Sequence, residues 1–134
     1  PKLSGATGIH IYCPCTPDHT YADTAAFAEA EGRVLLKVHP ATVTLERVVA
    51  KRGSKVYIDY LQNRRGQTIT AVYGVRPKPG APVSAPVTWE EINSDPPRFT
   101  IRTLRERLRE VGDLFAPMLN HPPQDLRRAT AALQ

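Results

Sequence analysis

Apolar and polar-tipped side chains alternate from Ile9 to Cys13, which predicts a short strand. His10 and Tyr12 would share one face of it, and Ile9 and Ile11 the other. Pro14 and Pro17 end the alternation. Beyond them the period lengthens. Phe27, Val34, Leu35 and Val38 follow helical spacing, with Thr20 as the cap, Asp23 at the third position and Pro40 past the end. Residues 43–50 fit a short helix or a strand equally well. Val56 to Leu61 is rich in branched and aromatic residues and reads as a strand. Gln62 to Gly66 reads as a tight loop and Gln67 to Val75 as a second strand, so the two strands are expected to form a hairpin.

Four prolines then fall between Pro77 and Pro86. A stretch of that kind is extended and stiff, and is expected to lie over a surface rather than inside a sheet. Thr88 with Glu91, and Thr103 with Glu106, read as capping boxes that open two helices. Leu104, Leu108 and Val111 give the second an apolar edge, and Gly112 stops it. After Pro122 and Pro123 a last helix runs through Leu126 and Leu133. No internal repeat is visible. The expected fold class is α+β, a mixed sheet with flanking helices, with residues 1–112 as the main body and 113–134 as a helical tail.

Composition narrows the function classes. The chain has 134 residues, of which 41% are hydrophobic and 23% charged, so it can bury the core of one ordinary domain. No run approaches the roughly 18 apolar residues of a membrane span, and no charged-then-apolar leader opens the chain. Two cysteines, Cys13 and Cys15, do not make a secreted disulfide framework, and a cytoplasmic protein without membrane contact is expected. The chain opens Pro1-Lys2-Leu3 and its single methionine is Met118, so a segment of a longer protein is expected, with self-association where apolar surface is left uncovered.

Charge is localised. Lys51, Arg52, Lys55, Arg64, Arg65, Arg76 and Lys78 share a window with one acid, Asp59, so that window carries +6 (7 minus 1) of a net +5. The remainder is nearly balanced. A localised basic patch suits a polyanion partner, here nucleic acid, or is simply a solvated surface.

Asp59 stands between apolar neighbours in Val56-Tyr57-Ile58-Asp59-Tyr60-Leu61. A carboxylate so placed needs a basic partner, a metal, or water at a sheet edge. Ser4-Gly5-Ala6-Thr7-Gly8 is a small-residue loop that ends just before His10, a composition that suits an anion or an ordinary turn. It is not a P-loop, because no Gly-Lys-Ser/Thr follows and the next element is a strand. Cys13 and Cys15 with His19 supply three zinc ligands at most and no second pair, so two small thiols are expected instead. His39 and His121 sit beside prolines at element ends, in structural or exposed positions.

Taken together, Ser4-Gly-x-x-Gly-x-His10, then Lys51-Arg52, then Val56-Tyr-Ile-Asp59-Tyr-Leu-Gln-Asn63, then Tyr73-Gly-Val-Arg76 with the proline block through Trp89, resembles the polymerase domain of bacterial DNA ligase D. That domain belongs to the archaeo-eukaryotic primase superfamily. The resemblance runs from the first residue to about Leu108 and is loose after Gly112. It implies a primase-like palm, present in part, and a template-directed nucleotidyltransferase that adds NTP or dNTP at broken DNA ends during non-homologous end joining. Two ions, Mn²⁺ or Mg²⁺, held by three carboxylates serve that chemistry. By the same matching, Asp59 is a catalytic metal ligand, Ser4 and His10 bind the nucleotide's phosphates, and Arg52 and Arg76 bind the nucleotide or contact the template beside it; Lys51, Lys55, Arg64, Arg65 and Lys78 of the basic window are then expected to face DNA. The end-binding protein Ku enters only through the family's context.

Three departures qualify the likeness. Ala6-Thr7 stands where many members carry Gly-Lys. Cys13 and Cys15 replace aliphatic residues. The aspartates are 18, 23, 59, 95, 113 and 125, which contain no Asp-x-Asp, so two of the three metal-binding carboxylates are missing. The isolated segment is therefore expected not to extend a primer, and a non-catalytic nucleic-acid-binding module is the competing reading.

Overall fold

A computed structural model describes residues 1–93 and 97–133; Asp95 and the tail's last residue, Gln134, lie outside the described residues. Chain contacts divide them into two units. One holds Pro1–Pro14 and Ile69–Pro122, the other Cys15–Thr68 and Pro123–Gln134. Among the described residues no helix is long and apolar enough to cross a membrane.

The core of the first unit is the proline block itself. Val83, Ser84, Ala85 and Val87 are each at most 3% exposed. Expectation had placed Pro77–Pro86 over a surface, and only its first half, 77–80, is exposed. From Val83 onward it is buried, because nearly every backbone group along it finds a partner. Ser84 N–H donates to Gly74 O, Val83 N–H to Phe99 O, Leu3 N–H to Ala85 O and Arg76 N–H to Pro82 O. Pro82 and Pro86 have no N–H to leave unpaired. Small side chains between the prolines let neighbouring chain approach closely.

Strands β1 (Lys2–Leu3) and β2 (Ile9–His10) pair antiparallel, Lys2 opposite His10 and Leu3 opposite Ile9. The expected strand through Cys13 is thus cut to Ile9–His10. Its face assignment is kept: Ile9 and Ile11 are exposed while His10 and Tyr12 are half-buried, and Tyr12 packs edge-on against Phe115. Helix α2 (Trp89–Asn93) is opened by the expected capping box, Thr88 and Glu91 bonding each other's backbone. Helix α3 (Leu104–Val111) is not. Thr103 Oγ1 accepts from Thr100 N–H, turning away from the helix it precedes. Gly112 ends α3 at φ 70°, as the glycine predicts. Arg107 of α3 pairs with Glu91 of α2 at 2.5 Å.

In the second unit, helix α1 (Tyr21–Val38) begins at the Thr20–Asp23 capping box. Phe27 and Val34 of its expected apolar stripe are half-buried, while Leu35 and Val38 are exposed. Gly32 is the residue α1 buries, because a side chain there would meet Leu45 and Ile58. The undecided residues 43–50 resolve into strand β3 (Val43–Thr44) and a 3-10 turn (Val49–Lys51). Strand β4 is only Val56–Tyr57, and it pairs parallel with β3. The expected hairpin between 56–61 and 67–75 is therefore not formed. Ile58 N–H still reaches Thr44 O, but the chain then turns into a 3-10 helix (Tyr60–Asn63), so Asp59 sits at a strand exit rather than mid-strand. Val75 pairs instead with Val83.

In the first unit, α4 (Ala116–Leu119) follows α3. In the second, α5 (Leu126–Ala132) is capped by Asp125 and buries Leu126. The class is α+β with flanking helices, and among the described residues the strands form two small two-stranded sheets, one antiparallel and one parallel.

Candidate functional site

The sequence-predicted residues fall into two clusters, one in each unit. In the first unit the Ser4–Gly8 loop is closed by its own serine. Ser4 Oγ accepts from the N–H groups of Ala6 and Gly8, at 3.1 and 3.0 Å, while Ser4 N–H donates to Gly8 O. Both hydroxyl lone pairs are thereby used, and the O–H remains to donate outward. The same bonds turn the Ala6 and Gly8 amides inward, so the loop is not an open backbone cradle.

Arg76 is brought to this loop. A Cβ built on Gly5 would stand 2.7 Å from Arg76 Cγ, so the arginine stem lies across the glycine, which has a left-handed φ of +69°. Arg76 Nη1 donates to Thr70 Oγ1. Arg76 Nε is buried with no hydrogen-bond partner among the described residues. A buried unpaired N–H is costly, and an anionic ligand is one way to satisfy it. Ser4, Gly5 and Arg76 are thus brought together, with His10 two residues past Gly8.

Lys2, which sequence reasoning missed, lies beneath it. The residue is 0% exposed. Its ammonium donates to Ser84 Oγ at 2.5 Å and Thr70 O at 2.7 Å, and lies 5.7 Å from the Tyr12 ring. Burial, with the Arg76 guanidinium adding to it, pulls its pKa down to about 8. Nothing in the sequence marks Lys2 as buried until its pairing with His10 is known. Lys78 is exposed and lines, with Thr7, Ile9, Arg98 and Phe99, an apolar cavity of about 600 Å³.

In the second unit Asp59 is exposed and accepts from Tyr57 Oη at 3.3 Å. Burial first, then the Asp59 carboxylate, pushes the Tyr57 phenol up. Arg52 stacks over the Tyr57 ring, 3.9 Å from its centroid, and donates from Nε to Glu46 O and from Nη2 to Arg47 O. It is a buttress built into the fold, with its nitrogens partly committed to backbone. Lys55 donates to Pro40 O. Lys51, Arg64 and Arg65 are exposed.

Among the described residues no three His, Cys, Asp or Glu side chains gather where a metal ion would sit. One exposed carboxylate does not fit a two-metal centre by itself. Cys13 and Cys15 form no disulfide, and His19 Nε2 is occupied as acceptor for Leu126 N–H at 2.9 Å.

The model of the LigD primase-polymerase domain matches residues 1–115. The chain belongs to that family. It is 35% identical over 128 residues to the bifunctional non-homologous end joining protein LigD of Bacillus subtilis, covering 93% of this chain and 21% of that protein. It is 33% identical over 120 residues to the multifunctional LigD of Mycolicibacterium smegmatis, covering 88% of this chain and 16% of that protein. Among solved structures it is similar to the polymerase domain of Mycobacterium tuberculosis ligase D in complex with DNA. There the TM-score is 0.84 and the identity 27%, over 92% of this chain and 43% of the other. The chain thus spans 13–21% of the length of the curated LigD proteins it matches. The likeness supports the α+β class and the assignment to a LigD polymerase domain.

Proposed function

We propose that this chain works as part of a template-directed nucleotidyltransferase that extends broken DNA ends in non-homologous end joining, in the cytoplasm. The observation that carries the reading is the buried, unpartnered Arg76 Nε laid across Gly5 beside the Ser4 hydroxyl. An arginine fork next to a hydroxyl donor suits the phosphates of a nucleoside triphosphate. In this reading His10 adds a donor to the same phosphates. The basic residues Lys51, Lys55, Arg64, Arg65 and Lys78 attract the DNA backbone. Arg52 acts near the template through Tyr57. Asp59 is one of the carboxylates that would hold Mn²⁺ or Mg²⁺, and it does not make the centre alone. Ku is a partner in this reading only by way of end joining.

Primer extension by the intact protein that carries this chain tests the proposal. Asp59→Ala is expected to abolish extension and to spare most DNA binding. Retained synthesis removes Asp59 from the catalytic set. The 134-residue chain alone is expected not to extend a primer. DNA binding without extension even in the intact protein would favour a non-catalytic nucleic-acid-binding module.

A further inference from the structure

Lys2 is the most buried charged residue described, and it takes no part in the phosphate contacts above. Lysine in a small domain normally runs its stem along the surface and leaves the ammonium in water. Here the ammonium is enclosed and spends its donors on two groups of the same unit, the Thr70 carbonyl and the Ser84 hydroxyl. Both groups lead onward. The Ser84 hydroxyl, accepting from Lys2, donates to Leu3 O, one residue before the Ser4 loop. Thr70 is held at both ends, its carbonyl by Lys2 and its Oγ1 by Arg76 Nη1.

We propose that Lys2 is a positioning residue: by pinning Thr70 and Ser84 it fixes where the Arg76 guanidinium stands relative to the Ser4 loop. The proposal rests on the nucleotide-binding reading of that loop, which it deepens. Without the ammonium, the Thr70 carbonyl and Ser84 hydroxyl lose a buried donor, and relaxation to find another moves the threonine that Arg76 grips. The groups facing Lys2 are Arg76, the Tyr12 ring, His10 across the β1–β2 ladder, and the neutral Thr70 and Ser84. None of these carries a negative charge, so among the described residues Lys2 is not one half of an ion pair. Its charge adds to the field of Arg76 instead, and is lost as the pH rises through about 8.

The test uses this chain with inorganic tripolyphosphate as the probe, and the side-chain Nε–Hε nuclear magnetic resonance signal of Arg76, assigned with Arg76→Lys. Lys2→Met is expected to shift that signal in the free chain and to weaken tripolyphosphate binding about tenfold. Lys2→Arg, which can donate to the same two acceptors, is expected to restore part of both. The wild-type affinity is expected to fall between about pH 7 and about pH 9, and that fall to be absent from Lys2→Met. Should Lys2→Met fail to fold, Ser84→Ala removes one of the two acceptors, keeps the charge, and is read by the same signal. An Arg76 signal unmoved in Lys2→Met, or in Ser84→Ala where the former does not fold, overturns the proposal. Tripolyphosphate binding unchanged in the variant does so as well. Absence of binding by the wild type instead overturns the nucleotide reading, and the Arg76 signal, read without ligand, still decides the positioning.

Discussion

The stem of Arg76 crosses Gly5 so closely that a methyl group on Gly5 would lie 2.7 Å from Arg76 Cγ and 3.0 Å from the Ser84 amide nitrogen. Two demands meet at this glycine, a left-handed φ of +69° and no room for a side chain. Gly5→Ala is therefore expected to destabilise the chain by about 1–3 kcal/mol and to displace Arg76. Gly53 supplies the control. It has a φ of +59° with nothing within 4 Å, so Gly53→Ala carries the backbone strain without the clash. Denaturant midpoints compare stability, and tripolyphosphate binding is expected to weaken only in Gly5→Ala. Equal binding by the two variants would separate Arg76 from the loop.

Tyr73 holds the second expectation. Its phenol donates to Asp113 Oδ1 at 2.5 Å, its N–H bonds Ser84 O, and its φ is 62°, a strained value for an aromatic residue. Burial first, then the bond to Asp113, pushes the phenol up to about 12. The same bond, more than the bond from the Phe115 amide, holds the Asp113 carboxyl below its ordinary value. The signs differ at the two ends of the pH scale. The folded state keeps the Tyr73 proton longer than the unfolded one, so this stabilisation is complete below about pH 10 and is lost as pH rises toward about 12. The Asp113 contribution is present above the ordinary carboxyl range and is lost as pH falls through its depressed value. Tyr73→Phe is expected to lower stability near neutrality and to flatten both edges of the stability-against-pH curve. A variant curve that parallels the wild type at both ends would show that the bond contributes nothing.

What could be read from the chain beforehand was the local chemistry. Thr20 with Asp23 and Thr88 with Glu91 each need only residues three apart to satisfy exposed amides, and both boxes form. Pairing was not legible, because it depends on residues far away in sequence. Val56–Tyr57 chooses β3 rather than residues 67–75, and the decisive bonds run back to Thr42 and Thr44. The proline block misled for the same reason. Prolines suit an exposed strap, but here Val83 to Val87 finds acceptors and donors in β1, in residues 73–76 and at Phe99, and becomes the core. In the site, the glycine loop and Arg76 are visible as residue types in a known order, while nothing in the sequence singles out Lys2. Its burial goes with contacts far away in sequence, to the Thr70 carbonyl and the Ser84 hydroxyl.

Arg64 and Arg65 test the electrostatic part of the reading. Both are exposed beside Gly66, which takes a φ of 84° with open space around it. If they meet DNA phosphates, Arg64→Ala and Arg65→Ala are each expected to reduce the slope of log affinity against log salt by roughly one. The loss should be similar for every DNA sequence tried, because phosphate contacts do not read bases. An unchanged slope would return both arginines to ordinary solvated surface.

Arg52 separates a buttress from a direct ligand. Its guanidinium lies 3.9 Å from the Tyr57 ring centroid and donates to the carbonyls of Glu46 and Arg47. Tyr57 in turn donates to Asp59. Lysine carries the same charge, but its compact ammonium cannot stack on the ring and reach both carbonyls in one plane. Arg52→Lys is thus expected to cost about 1–2 kcal/mol of stability through lost stacking and one unmet carbonyl. It should also lower primer extension by the intact protein, because Tyr57 and then Asp59 lose their support. The salt slope of DNA binding should not change, since the charge is kept. A direct phosphate contact predicts the opposite pattern, in which Arg52→Lys keeps the stability and weakens binding of the nucleic acid or nucleotide. Measuring the melting midpoint, the salt slope and the extension rate on the one variant decides between the two.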